Sequence, residues 1–146
     1  MLPRWHIFFG AIFTLVVFVM IPSLSWFYLT LIFLSSFLID FDHYLVSAFR
    51  RGKVISLSDS LKYHDELGIK ERAEINKGIK RKGDFHIFHT IEFHALIGLL
   101  GFFWVGFFYI FIGMFFHSLL DVYTGLRDGW LHKREFFFFN WIGKKI

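Results

Sequence analysis

Long apolar runs, interrupted by one polar stretch, dominate the chain. The first extends from Trp5 to Ile21 and stops at Pro22, and the second from Leu24 to Ile39. A third and fourth form a nearly continuous apolar region from Phe85 to Tyr123, too long for one crossing and most easily folded back near Gly101–Gly106. Each run is roughly 15–20 residues, the length scale of a bilayer-crossing helix. Backbone groups in lipid must satisfy one another within the segment, so helices are predicted. The expected fold is all-α: a polytopic membrane protein of one domain, 1–146, with four transmembrane helices in two hairpins. The spans are expected at about 5–21, 24–39, 86–102 and 105–123, with turns at Pro22-Ser23 and at Gly101–Gly106.

Between the hairpins, 50–84 reads as a polar helical linker. Ser58-Asp59-Ser60 is a candidate helix N-cap, with Gly68 as the stop and a second polar helix over Lys70–Ile79. His64 and Asp65 fall in this charged stretch and read as solvated surface. The tail, 125–146, contains Glu135-Phe136-Phe137-Phe138-Phe139-Asn140-Trp141, too short to span. With Lys144 and Lys145 behind it, it is expected at the membrane interface. Arg4, the first apolar run and Ser23-Leu24-Ser25 also resemble a cleavable signal peptide, but Pro22 and the apolar run that follows favour a tight turn.

Composition supports the membrane reading: 55% of residues are hydrophobic and 23 are Phe, well above a soluble domain. The net charge is +4, and its placement is more informative than its size. The 16 Lys and Arg are Arg4, ten between Arg50 and Lys82, and five between Arg127 and Lys145; the two turns carry none. The positive-inside rule then puts both termini and the linker in the cytoplasm, in a cell (inner) membrane. The bilayer is thus the expected partner of the basic residues, and no nucleic acid is expected. With no cysteine, disulfides, thiolate zinc sites and iron–sulfur clusters are excluded.

Ionisable residues inside membrane segments are costly and usually functional. Here they are His6, Asp40, Asp42, His43, His86, His89, Glu92, His94, His117 and Asp121, and the predicted topology brings every one to the cytoplasmic face. His117 and Asp121 are four apart and share a helix face. His86, Thr90 and His94 form another such stripe, and Asp40-Phe41-Asp42-His43 concentrates three donors at a helix end. Imidazole with carboxylate and no thiolate suits zinc, manganese or iron. The donors outnumber the needs of one tetrahedral ion, so two or three divalent ions are expected, zinc first and manganese next.

These residues resemble the pattern of the YdjM-like membrane-bound, predicted metal-dependent hydrolases. The matching blocks are His6-Ile7-Phe8-Phe9-Gly10, Asp40-Phe41-Asp42-His43, His89-Thr90-Ile91-Glu92-Phe93-His94, and Gly113-Met114-Phe115-Phe116-His117-Ser118-Leu119-Leu120-Asp121. Departures are Ile39 for a proline, Thr90-Ile91 for Arg-Gly, and Ala95 for a serine. The resemblance implies metal ligation by His6, Asp40, Asp42, His43, His89, His94, His117 and Asp121. It selects His89 where helical periodicity favours His86, and the two agree if the helix begins only after His89. The ligand pattern is also similar to zinc-dependent phospholipase C and P1-type nucleases, which use helical His-xxx-Asp and His-xxx-Glu pairs.

The function so implied is a membrane-embedded, metal-dependent phosphoester hydrolase in which metal-activated water attacks a small-molecule, lipid or membrane-associated substrate. Asp42 or Asp121 would bridge ions, and Glu92 with Asp42 are the candidate catalytic groups. Lys80, Arg81 and Lys82 would draw an anionic substrate to the opening. Two alternatives come from other classes. One is a b-type haem electron carrier with His94 and His117 as axial ligands. The other is a metal or proton transporter, which would place polar residues near the midplane and on both sides.

Overall fold

The computed structural model describes residues 3–51, 56–79 and 82–143, and among them there are helices and turns but no strand. The elements are α1 (Pro3–Met20), α2 (Trp26–Leu38), α3 (Phe41–Arg51), α4 (Leu57–Asn76), α5 (Ile91–Leu100), α6 (Val105–Arg127) and α7 (Phe138–Gly143). Helix α2 is central: it packs most extensively on α6 and next on α1, while α5 lies against α6 and α3 against α4.

Two helical stretches are long and apolar enough to cross a membrane, Trp26–Phe49 and Val105–Arg127. The first includes both α2 and α3, which follow one another across a tight step at Ile39-Asp40. There the amides of Asp40, Asp42 and His43 bond three residues back, to Phe37, Ile39 and Asp40, at 3.0–3.4 Å. This local tightening rotates the following turn. The other two expected spans are shorter. Helix α1 has 18 residues and α5 only 10, a rise of roughly 15 Å. Helix α5 begins late because Thr90 caps it, its hydroxyl accepting from the Phe93 amide at 3.3 Å, after a single 3-10 turn over Ile87–His89.

Two close approaches draw the helices together. A Cβ on Gly10 of α1 would fall 2.1 Å from Ser36 Oγ, and one on Gly113 of α6 would fall 2.3 Å from the Ile32 carbonyl of α2. Small residues at such crossings let helix backbones approach where lipid supplies no hydrophobic drive. Ring stacking extends the same contacts: Phe13 on Phe116 (4.1 Å between centroids) and Tyr28 on Tyr109 (4.5 Å).

The polarity of the bundle is inverted relative to a water-soluble domain. Its buried residues include His6, Ser36, Asp42, Thr90 and His117, whereas Val19, Met20, Trp26, Phe102 and Phe103 are among many large apolar side chains left exposed.

The linker differs from expectation. Among its described residues Leu57–Asn76 form a single helix, α4, in place of two, capped by Ser56, whose hydroxyl accepts from the Asp59 amide at 3.1 Å; Ser58 lies inside it. Gly68 does not stop it, since a mid-helix glycine costs only about 1 kcal/mol against alanine and good helix formers flank it. Lys80, Arg81, Lys144, Lys145 and the side chain of His64 lie outside the described residues.

The tail also departs from a purely interfacial segment. Helix α6 runs to Arg127 and is terminated by Gly129 at φ 74°, the left-handed conformation that glycine adopts without a Cβ penalty. The chain then turns back as a strap over 130–137. Gly83 N–H donates to the Lys133 carbonyl (2.9 Å) and Ile91 N–H to the Phe136 carbonyl (2.9 Å). Lys133 Nζ donates to Glu74 Oε2 of α4 (2.9 Å), and Lys82 Nζ to the Arg134 carbonyl (2.9 Å).

Candidate metal centre

The ends of five elements meet at one point. Helix α1 supplies His6 from its first turns, the α2–α3 step supplies Asp40, Asp42 and His43, the turn before α5 supplies His86 and His89, and α6 supplies His117 and Asp121. Three overlapping groups arise in which one donor atom per residue lies within 4.8 Å of the others: His6-Asp40-His117-Asp121, Asp40-His43-His89, and Asp42-His43-His86. Such groups can hold a metal ion.

The hydrogen bonds on the far side of each ring decide which nitrogens face inward. His117 Nδ1 lies 2.9 Å from the Ser36 carbonyl, which can only accept, so Nδ1 carries the proton. His89 Nδ1 lies 2.9 Å from Asp42 Oδ2, which also accepts from the Phe88 amide at 3.1 Å. In their neutral forms His89 and His117 would each present an Nε2 lone pair to the interior, and these two atoms are 3.1 Å apart. Asp40 Oδ1 is 3.5 Å from His89 Nε2 and 3.4 Å from His117 Nε2. Asp121 Oδ2 is 3.8 and 3.3 Å from the same two atoms.

Four such atoms crowd one point, an arrangement that a shared proton or a metal cation would hold together. Zinc bonds of about 2.0–2.1 Å in tetrahedral geometry imply donor–donor separations near 3.3 Å, so the donor set fits an ion of that kind. Buried atoms without a hydrogen bond point the same way: His6 Nδ1 and Nε2, Asp40 Oδ2 and Asp42 Oδ1. His6 stacks on His117 with centroids 3.8 Å apart and brings Nε2 to 3.2 Å from Asp121 Oδ1. No known family model, curated protein or solved structure matches this chain.

Asp40 connects the groups. Its Oδ1 lies 3.4 Å from His43 Nε2 as well as close to His89 and His117, so Asp40 is common to two of the three groups. Asp42 divides its carboxylate: Oδ2 orients His89, and Oδ1 faces His86 Nδ1 at 3.5 Å. His86 rests on the His43 ring, 3.9 Å between centroids, and joins the third group. His89 precedes the helical cap at Thr90, so the periodicity that favoured His86 does not govern it.

Two of the anticipated residues lie apart from the cluster. His94 spends both ring nitrogens between α5 and α6: Nδ1–H donates to the Thr90 carbonyl (2.9 Å), and Nε2 accepts from the Ser118 hydroxyl (3.0 Å). Glu92 accepts from the amides of Phe138 (3.0 Å) and Phe139 (3.4 Å), holding the first turn of α7.

Arg134 is the residue that sequence reasoning missed. Its NH1 donates to Asp121 Oδ2 at 2.8 Å, and the side chain is largely buried over the Phe136 ring. The chain signal was faint: Lys133-Arg134-Glu135 reads as a charged interruption in an aromatic tail, and only the Gly129 turn brings it back to α6.

Proposed function

We propose that this chain is a membrane-embedded, metal-dependent phosphoester hydrolase of the YdjM-like kind it resembles, with its site opening toward the cytoplasm. The observation that carries the reading is the pair of Nε2 lone pairs on His89 and His117, 3.1 Å apart and flanked by Asp40 and Asp121. Such an arrangement asks for a cation, and zinc is the first choice because every donor is imidazole or carboxylate. His6, Asp40, His117 and Asp121, with His89 beside them, would hold one ion, Asp42, His43 and His86 a second, and Asp40 would stand between the two.

A divalent ion held there supplies positive charge that makes water a better nucleophile and polarises a phosphoryl oxygen. The protein's own residues do the rest. Asp42 and the Ser36 carbonyl fix the tautomer and tilt of His89 and His117, the outer-shell arrangement that tunes ligand basicity. His43, the most exposed of the cluster imidazoles, borders water and is the candidate for moving protons. Arg134 offers a guanidinium beside Asp121, suited to a phosphate oxygen.

The membrane placement is supported by the two apolar helices of crossing length and by the inverted polarity of the bundle. Four crossings with both termini cytoplasmic would follow if α1 and α5 complete their spans with flanking turns. The haem alternative fares less well, because His94 uses both nitrogens within the α5–α6 contact.

Elemental analysis of purified protein tests the metal. Wild type is expected to hold at least one equivalent of zinc or manganese, and His117→Ala and Asp121→Ala to lose most of it. Less than one equivalent in wild type supplied with both metals would sink the proposal. Release of phosphate or phosphoalcohol from a panel of esters by the loaded protein tests the chemistry.

A further inference from the structure

An apolar groove of about 320 Å³ runs along the bundle between α2, α5 and α6, and its lining includes the chain neighbours of two cluster residues, Ile39 beside Asp40 and Phe88 beside His89. Leu34, Leu38, Ile39, Phe88, Phe93 and Met114 are among its lining residues. Three of these are tied to the site through the chain. Ile39 precedes Asp40, Phe88 precedes His89 and gives its amide to Asp42 (3.1 Å), and Met114 lies one turn before His117. Leu34 and Leu38 on its rim are 37% and 53% exposed, so the groove is open along its side. The shortness of α5 contributes, since ten residues cannot cover the length of a 23-residue α6.

The cluster itself carries a complementary charge. Arg134 stands beside Asp121, held there by the strap: Lys82 Nζ takes its carbonyl and Gly83 N–H that of Lys133. An apolar groove beside the chain segments that carry a guanidinium and a cation-seeking cluster has the two polarities of one amphiphile. The volume is in the range of small-molecule sites, which are mostly apolar with a few convergent polar groups.

We propose that the substrate is a membrane lipid with a phosphate-ester headgroup, which enters sideways from the bilayer. Its hydrocarbon chain lies in the α2–α5–α6 groove, and Arg134 takes a phosphate oxygen. The proposal rests on the hydrolase reading for its chemistry, but the groove is open to a separate test. A water-soluble phosphoester would use the same cluster and leave the groove empty.

Leu38→Trp narrows the groove on its exposed rim, away from the ligands. With zinc-loaded full-length protein in mixed micelles, hydrolysis of dioleoyl phosphatidic acid is compared with that of its dibutyryl counterpart. The ratio of long-chain to short-chain rates is expected to fall by about tenfold in Leu38→Trp, the scale on which a pocket discriminates a few methylenes. Arg134→Gln is expected to slow both esters alike. An unchanged ratio in Leu38→Trp overturns the groove assignment while leaving the hydrolase reading in place.

A binding measurement covers the case in which neither ester is cleaved, an outcome that counts against the hydrolase reading alone. Phosphatidic acid carrying a photoreactive group at mid-chain is expected to label peptides containing Leu34, Leu38 or Phe93, and to do so less in Leu38→Trp. Labelling spread evenly over the exposed faces of α1 and α6 would overturn the groove, since it would mark ordinary surrounding lipid.

Discussion

Asp42 is almost fully buried, yet only one of its oxygens has settled partners: Oδ2 receives His89 Nδ1–H and the Phe88 amide. A carboxylate behind a ligating imidazole fixes the ring and raises its basicity, and losing such a group costs metal affinity about 10–100-fold. Asp42→Asn keeps an oxygen in place and removes the charge. Competition with a chromophoric chelator is expected to show weaker zinc binding by that factor, and unchanged affinity would remove Asp42 from this role. His94 makes the contrasting case. Because it bridges Thr90 and Ser118, His94→Ala is expected to leave metal content at the wild-type value while lowering thermal stability by about 1–3 kcal/mol. Loss of metal in that variant would restore His94 to the ligand set.

At the scale of elements, each cluster histidine of α1 and α6 lies one turn from a glycine: His6 from Gly10, and His117 from Gly113. The physical reason is distance. Gly113 lets α6 approach the Ile32 carbonyl closely enough for His117 to reach the carbonyl of Ser36, one turn further along α2. Gly113→Ala would set a methyl 2.3 Å from that oxygen, where backbone must move. A stability loss of about 1–3 kcal/mol is expected, together with weaker metal binding. Gly68 of α4 has nothing within 4 Å of its missing Cβ, so Gly68→Ala is expected to stabilise by up to about 1 kcal/mol. Thermal denaturation of the two variants in one detergent checks both signs, and a matching pair of shifts would contradict the contact argument.

The same elements show what could be read from the chain. Apolar periods and charge placement gave the helices, and the concentration of His and Asp at their polar ends gave the cluster. The place of Asp40 between two of the groups was not legible, because it depends on a two-residue step, Ile39-Asp40, between α2 and α3 that no turn residue announces. Arg134 was hidden for a different reason. Its partner, Asp121, is 13 positions earlier, across a helix stop at Gly129 and a strap set by bonds to Gly83 and Ile91. Glu92 read as a candidate catalytic group, and only tertiary folding reveals that its carboxylate holds the first turn of α7.

For the molecule as a whole, the short α5 and the strap belong to one solution. His94 of α5 touches Met114 and Ser118, so α5 begins level with the middle of α6 and leaves the last three turns of α6 uncovered. Residues 82–90 and 130–137 fill that wedge and bring irregular backbone to the depth of the cluster. Non-helical backbone is tolerated at such depth where protein surrounds it or a polar cavity adjoins it. The orientation proposed from charge would turn the wedge to the cytoplasm and the α5–α6 turn outward. The natural absence of cysteine makes this testable without a background. Phe103→Cys stands in the turn, where the side chain is 87% exposed, and Asp65→Cys on the exposed face of α4. In intact cells a membrane-impermeant maleimide is expected to label Phe103→Cys at once and Asp65→Cys only after permeabilisation. The reverse pattern would place the metal cluster on the outer face. Labelling of both in intact cells would mean that α2 and α6 do not cross the bilayer between them.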